Sequence, residues 1–140
     1  MRLFIDCEYN GWRGELISMA LVPEQGEPFY QVLRLDGIQP TPWVRENVLS
    51  VLSHNGEEIH PVTLSTFSAL LQKYLSQWKE VTVVANWPDD IKYFCEVITP
   101  SPNTLINVPQ LNFEIRTAKI KSEIPHNALA DALALRNAGV

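Results

Sequence analysis

Over the first 35 residues the apolar positions alternate or run on continuously. After that they recur every three or four residues, which predicts strands first and helices afterwards. Residues 1–8 (MRLFIDCE) read as an edge-to-core strand that ends in two carboxylates. Leu3, Ile5 and Cys7 point to one side; Phe4, Asp6 and Glu8 point to the other. A turn-rich link with Asn-Gly at its centre follows, then the apolar run 15–23 (ELISMALVP), which predicts a central strand buried on both faces. Residues 24–27 make a turn, and 28–35 (PFYQVLRL) make a third strand. These three runs predict an antiparallel meander.

Helical signals then take over. Thr41 and Pro42 are a cap and a first helical residue, and 53–61 is a polar loop. Residues 63–78 place Leu64, Phe67, Leu70, Leu71, Tyr74, Leu75 and Trp78 on one helical face. The short run 81–85 (VTVVA) predicts a buried strand parallel to the first. The helix 88–98 follows, with Ile91, Phe94, Cys95 and Ile98 turned inward. Three prolines make 99–109 a loop; 111–115 is a short strand, and 116–124 is polar and basic. Asn127 caps a last helix over 128–138. With no repeat, low-complexity tract or boundary, we expect one α/β domain over 1–140.

Composition narrows the partners. No apolar run approaches the roughly 20 residues that span a bilayer, and the N-terminus lacks a signal-peptide layout, so we expect a cytosolic protein without a membrane partner. Cys7 and Cys95 fit reduced thiols and make no zinc-knuckle spacing. A formal net charge of −5 argues against holding nucleic acid by bulk positive charge. It leaves open an enzyme that handles nucleic acid at a local metal site.

The acids supply the chemistry. Asp6 and Glu8 share a strand face, about 7 Å apart along the chain, and two adjacent carboxylates repel unless a hard divalent cation neutralises them. A solvated strand end explains that pair equally well. Asp89 and Asp90 follow the buried strand 81–85, beyond whose carboxyl end an open α/β sheet binds ligands. Asp89 reads best as a dipole-favoured first-turn acid, and Asp90 fits that reading and a functional one alike. Asp131 stands among alanines and leucines one turn into the last helix, where an unpaired carboxylate is expensive. His126 precedes that helix.

The order Asp-x-Glu, Asp, His-x4-Asp resembles the DnaQ-like 3′–5′ exonucleases of the DEDDh type. The matching stretches are 4–8 (FIDCE), 86–94 (NWPDDIKYF) and 126–132 (HNALADA). Asp90, four residues after Asn86, takes the family position rather than Asp89. Within the family the chain is similar to the small mycobacterial-type exoribonucleases, through 15–18 (ELIS) and 43–49 (WVRENVL) as well. Tyr9 stands where many members have threonine, and Trp87 and Pro88 replace smaller residues. The last helix stops seven residues after Asp131, shorter than usual, so its packing is weak or its partner is another subunit.

The resemblance implies a ribonuclease H-like mixed sheet flanked by helices, with the three-strand meander plus parallel strands. It also implies two divalent cations, Mg²⁺ or Mn²⁺, for phosphodiester hydrolysis. Asp6, Glu8, Asp90 and Asp131 would be the metal ligands and His126 the general base; these five would be the catalytic residues. The substrate would be the 3′ end of single-stranded RNA or DNA, with RNA favoured and nucleoside 5′-monophosphates released. Small members often form homodimers. Cys7, Tyr9, Trp12 and Trp87 are candidate substrate contacts, and Phe4 offers either stacking or core. Arg116, Lys119 and Lys121 are equally a phosphate contact or a solvated face. Trp43, Phe67, Tyr74 and Trp78 are assigned to packing or a subunit interface. The competing readings are a non-catalytic nuclease-like module that binds nucleic acid ends or a protein, and a ribonuclease H-type endonuclease.

Overall fold

A computed structural model describes residues 1–53 and 56–140; positions 54 and 55 of the expected polar loop lie outside the described residues. The fold is α/β: one mixed five-stranded sheet flanked by four helices. Its elements are β1 (Arg2–Tyr9), β2 (Leu16–Pro23), β3 (Phe29–Val32), α1 (Pro42–Asn47), a 3₁₀ turn (Leu49–Val51), α2 (Leu64–Leu75), β4 (Glu80–Ala85), α3 (Pro88–Ile98), β5 (Gln110–Ile115) and α4 (Ala128–Asn137). The strand order is β3-β2-β1-β4-β5. β1 to β3 form the expected antiparallel meander, and β4 pairs parallel to β1, with β5 parallel beside it. β1 is therefore the middle strand, not an edge-to-core one, because β4 covers the side that the meander leaves free.

Leu3, Ile5 and Cys7 of β1 pack with Phe67, Leu71 and Leu75 of α2 and Phe94 and Val97 of α3. Ser68 Oγ donates to Val97 O at 2.7 Å and ties the two helices together. On the opposite face, α4 covers β2 through Ala20, Val22, Ala128 and Ala132, and covers Phe4 and Val84 through Leu135. α4 is thus well packed on its own sheet, against the expectation of weak packing, because its small residues let it approach closely. Phe4 is core. Each fully buried Phe or Leu contributes about 1.5–3 kcal/mol.

A bulge positions α1. Tyr9 pairs with Leu16 and Glu8 with Ser18, so Ile17 is an extra residue on β2. Ile17 packs on Val44 and Val48 at α1. The β1–β2 loop secures the same corner: Asn10 Oδ1 accepts from Thr41 N at 2.9 Å, and Asn10 Nδ2 donates to Gln39 O at 2.9 Å. Gly14 is obligatory there, since a Cβ would lie 1.8 Å from Asn10 O.

Helix faces differ from the periodic expectation in two places. α2 ends at Leu75 with Leu64 exposed and Trp78 beyond its end, because the Ser76 N–H closes the last turn on Gln72 O. In α3 the buried stripe is Asp90, Tyr93, Phe94, Val97 and Ile98, and Ile91 and Cys95 are half-buried. The stripe is rotated because Asp90 is anchored inward, as described next. No helix among the described residues is long and apolar enough to cross a membrane.

Candidate active site

The acids meet at the carboxyl ends of β1 and β4, where α3 and α4 begin. Strand alternation puts Asp6 and Glu8 on the α4 side of the sheet, opposite Ala20 and Ser18. Asn127 starts α4 in register with them: its Oδ1 accepts from Ala130 N at 2.9 Å, and its Nδ2 donates to Val51 O at 2.8 Å. That cap fixes the helix rotation which carries Asp131 inward. Carboxylate oxygens of Asp6, Glu8 and Asp131 all lie within 4.8 Å of one another. Opposite ligands of one Mg²⁺ are about 4.2 Å apart, so slight closure would let a single cation take all three.

Asp90 arrives from the other side. It is buried, and its Oδ1 accepts from Cys7 N at 3.0 Å. It lies against the strand between Asp6 and Glu8 rather than within the group of three oxygens. Cys7, expected as a substrate contact, turns its thiol into the core, where Sγ lies 3.8 Å from Asp90 O. The residue acts through its backbone, because period two directs its side chain away from the acids.

This arrangement is electrostatically loaded. Burial first, then the charges of Asp90, Glu8 and Asp131, holds the Asp6 carboxyl well above the usual carboxylate range. Burial pushes Glu8 up to about 8 and Asp90 up to about 7. Asp6 Oδ2 is buried with no hydrogen-bond partner. A buried carboxylate with an orphaned oxygen, grouped with two further acids, is a donor set for a hard cation, so these residues fit a divalent metal.

His126 stands at the mouth. Its backbone N–H donates to Asp131 Oδ2 at 3.2 Å, and its backbone takes the left-handed conformation at φ 71°. Its ring packs edge-on against Trp43, with centroids 4.9 Å apart. Among the described residues the imidazole makes no hydrogen bond, which leaves a nitrogen free to accept a proton. Trp43, expected in packing or an interface, packs on His126, is 54% exposed and also lines this cleft. Periodicity could not place it, because its position depends on the long-range bonds of Asn10.

The cleft encloses about 640 Å³, with Tyr9, Trp12, Trp43 and Trp87 around the acids. Asp89 joins two of them: its Oδ2 accepts from Tyr9 Oη at 3.2 Å and from Trp87 Nε1 at 3.3 Å. Its role therefore exceeds first-turn capping, and a polar tether of this kind leaves no trace in sequence periodicity. Lys119 and Lys121 line a different depression, on the outer side of α4. Arg116 is bound to Glu114 at 3.3 Å. Neither a scan against protein-family models nor a search of curated proteins finds a match for this chain.

Proposed function

We propose that this chain is a metal-dependent 3′–5′ exonuclease on a ribonuclease H-like fold, acting on single-stranded nucleic acid, with RNA favoured over DNA. The sheet order, with a meander on one side of β1 and parallel strands on the other, supports the fold reading. The observation that carries the activity is the convergence of Asp6, Glu8 and Asp131 around an unpartnered buried oxygen, with His126 beside them. A bare binding module has no use for so costly a cluster.

When bound, two Mg²⁺ or Mn²⁺ ions supply activation of the attacking water and charge stabilisation on the leaving 3′ oxygen. Asp6, Glu8 and Asp131 would hold them from one side, and Asp90, fixed to the Cys7 N–H, would do so from α3. His126 takes the proton of the attacking water. The water oxygen bonds to phosphorus and the P–O3′ bond breaks, leaving a nucleoside 5′-monophosphate and a 3′-oxyanion that takes a proton from solvent to become the new 3′-hydroxyl. Trp43 packs edge-on against the His126 ring, and the Asp131 carboxylate holds the backbone N–H from which that ring projects.

The test follows single-stranded RNA and DNA, labelled at the 3′ or the 5′ end, in Mg²⁺, Mn²⁺ or EDTA, with Asp6→Ala in parallel. Metal-dependent release of mononucleotides from the 3′ end, abolished in Asp6→Ala, is expected. Internal fragments would instead indicate an endonuclease. Binding without any cleavage by folded, metal-loaded protein would indicate an end-binding module.

A further inference from the structure

β2 carries a buried polar side chain that no step of the reaction uses. Ser18 is fully buried, and its Oγ has no hydrogen-bond partner. A hydroxyl withdrawn from water without a partner costs the fold, and buried polar groups are almost always paired. Its position says what it is kept for. Ser18 stands opposite Glu8 in the β1–β2 ladder, so the two side chains share the α4 side of the sheet. Directly opposed residues have Cβ atoms about 4.5–5.5 Å apart, within reach of a rotating hydroxyl and a glutamate carboxylate.

The bulge brings it there. Tyr9 pairs with Leu16, and a regular ladder would then set Ile17 opposite Glu8. The extra residue sends Ile17 onto Val44 and Val48 at α1 and sets Ser18 against Glu8 instead. Bulges gather next to active sites because they re-aim a side chain. The other polar groups nearby are already committed. Burial first, then the charge of Glu8, raises the Tyr30 phenol, but its Oη donates to Leu52 O. Asn127 Nδ2 donates to Val51 O, and Asn127 Oδ1 accepts from Ala130 N. Asp90 and Asp131 each accept from a backbone N–H. Glu8 has the acids Asp6 and Asp131 beside it and, among the described residues, no N–H or other O–H donor.

We infer that Ser18 is a positioning residue of the metal centre: with a cation bound, its hydroxyl donates to the Glu8 carboxylate and holds that ligand in place. This inference rests on the metal site of the exonuclease reading and adds a residue behind its ligands. Carboxylates that ligate a metal are themselves hydrogen-bonded, and loss of such an outer partner weakens metal binding about 10–100-fold. The hydroxyl therefore has opposite effects in the two states. Without metal it is an unpaired group that alanine removes at no loss; with metal it is the donor that Glu8 lacks. A serine that only packs would support both states alike.

The experiment measures Mn²⁺ binding by isothermal titration calorimetry, and Tm in EDTA, for the wild type, Ser18→Ala and Ser18→Thr at about pH 7.5. Ser18→Ala should keep or raise the Tm in EDTA, yet raise the Kd for Mn²⁺ by about tenfold or more. Ser18→Thr keeps the hydroxyl and should return Kd to within about threefold of the wild type. Ser18→Ala that binds Mn²⁺ as tightly as the wild type, or that lowers the Tm in EDTA, would overturn the inference while leaving the exonuclease intact. So would a folded Ser18→Thr that binds as weakly as Ser18→Ala. Wild-type protein that binds no Mn²⁺ would overturn both.

Discussion

Metal-free protein should lose stability as the pH rises from 5 to 8. Glu8 and Asp90 titrate at about 8 and about 7 in the fold, against ordinary values of 4.5 and 3.8, and Asp6 is raised too. Between those limits the folded chain keeps protons that the unfolded chain has released, so each step up in pH favours unfolding. One retained proton corresponds to about 1.4 kcal/mol per pH unit. From pH 5 to 7 one such proton costs about 3 kcal/mol, and two independent ones would cost about 6. The carboxylates share one cleft and partial solvation, so we expect the lower figure. At about 4 °C per kcal/mol for a chain of this size, Tm in EDTA should fall by roughly 12 °C. Added Mg²⁺ or Mn²⁺ at a hundred times its Kd should return about 2.7 kcal/mol at pH 7.5, and far less at pH 5, where the ligands hold protons. Asp6→Asn should make the pH slope shallower and remove most of the metal shift. Scanning fluorimetry from pH 5 to 8, with and without metal, reads all of this. A flat Tm in EDTA, or a metal shift equal at both pH values, would refute the reasoning.

Three further outcomes follow from single contacts. His126→Ala should lower kcat by about 10²–10⁴-fold while the metal-induced rise in Tm persists, which separates proton transfer from metal binding. Asn127→Ala removes the α4 cap and the donor to Val51 O, and should cost about 2–3 kcal/mol in urea unfolding with an unchanged m-value. Gly14→Ala drives a Cβ against Asn10 O and should cost about 1–3 kcal/mol, with altered tryptophan fluorescence and a raised KM, because the loop carrying Trp12 must rebuild.

The fold was legible where one periodicity acts on one element. Alternation in β1 placed Asp6 and Glu8 on a common face, and the continuous run of β2 marked a strand buried on both sides. The α3 stripe was legible in principle. Positions 90, 93, 94, 97 and 98 follow the helical period, and an acid at the head of an apolar stripe is the signal that Asp90 is buried. Choosing Ile91 and Cys95 by hydrophobicity alone turned the helix by about one residue. What could not be read depends on pairs distant in sequence: the extra Ile17 that draws α1 to the sheet, Asn10 bound to Thr41 and Gln39, and Asp89 bridging Tyr9 to Trp87. That Trp43 also lines the cleft could not be read for the same reason. Nothing in its local pattern says which loop it will face.

The helix termini bear on whether the acid cluster can persist without a cation. α3 begins with Asp89 and Asp90 in its first turn and α4 with Asp131, so two positive helix ends point at the carboxylates. Each such interaction is worth about 0.3–1 kcal/mol, and up to about 2 in a partly buried site. The Cys7 N–H on Asp90 and the His126 N–H on Asp131 add charge-assisted bonds. None of these donors reaches Asp6 Oδ2, which remains buried and unpartnered. The backbone thus gives Asp90 and Asp131 a donor each and leaves Asp6 Oδ2 to a proton or a metal. As the pH rises past the range in which the raised carboxyls of Glu8 and Asp90 give up their protons, the fold gains increasingly from a divalent cation there. That dependence is what the paired pH and metal titrations measure.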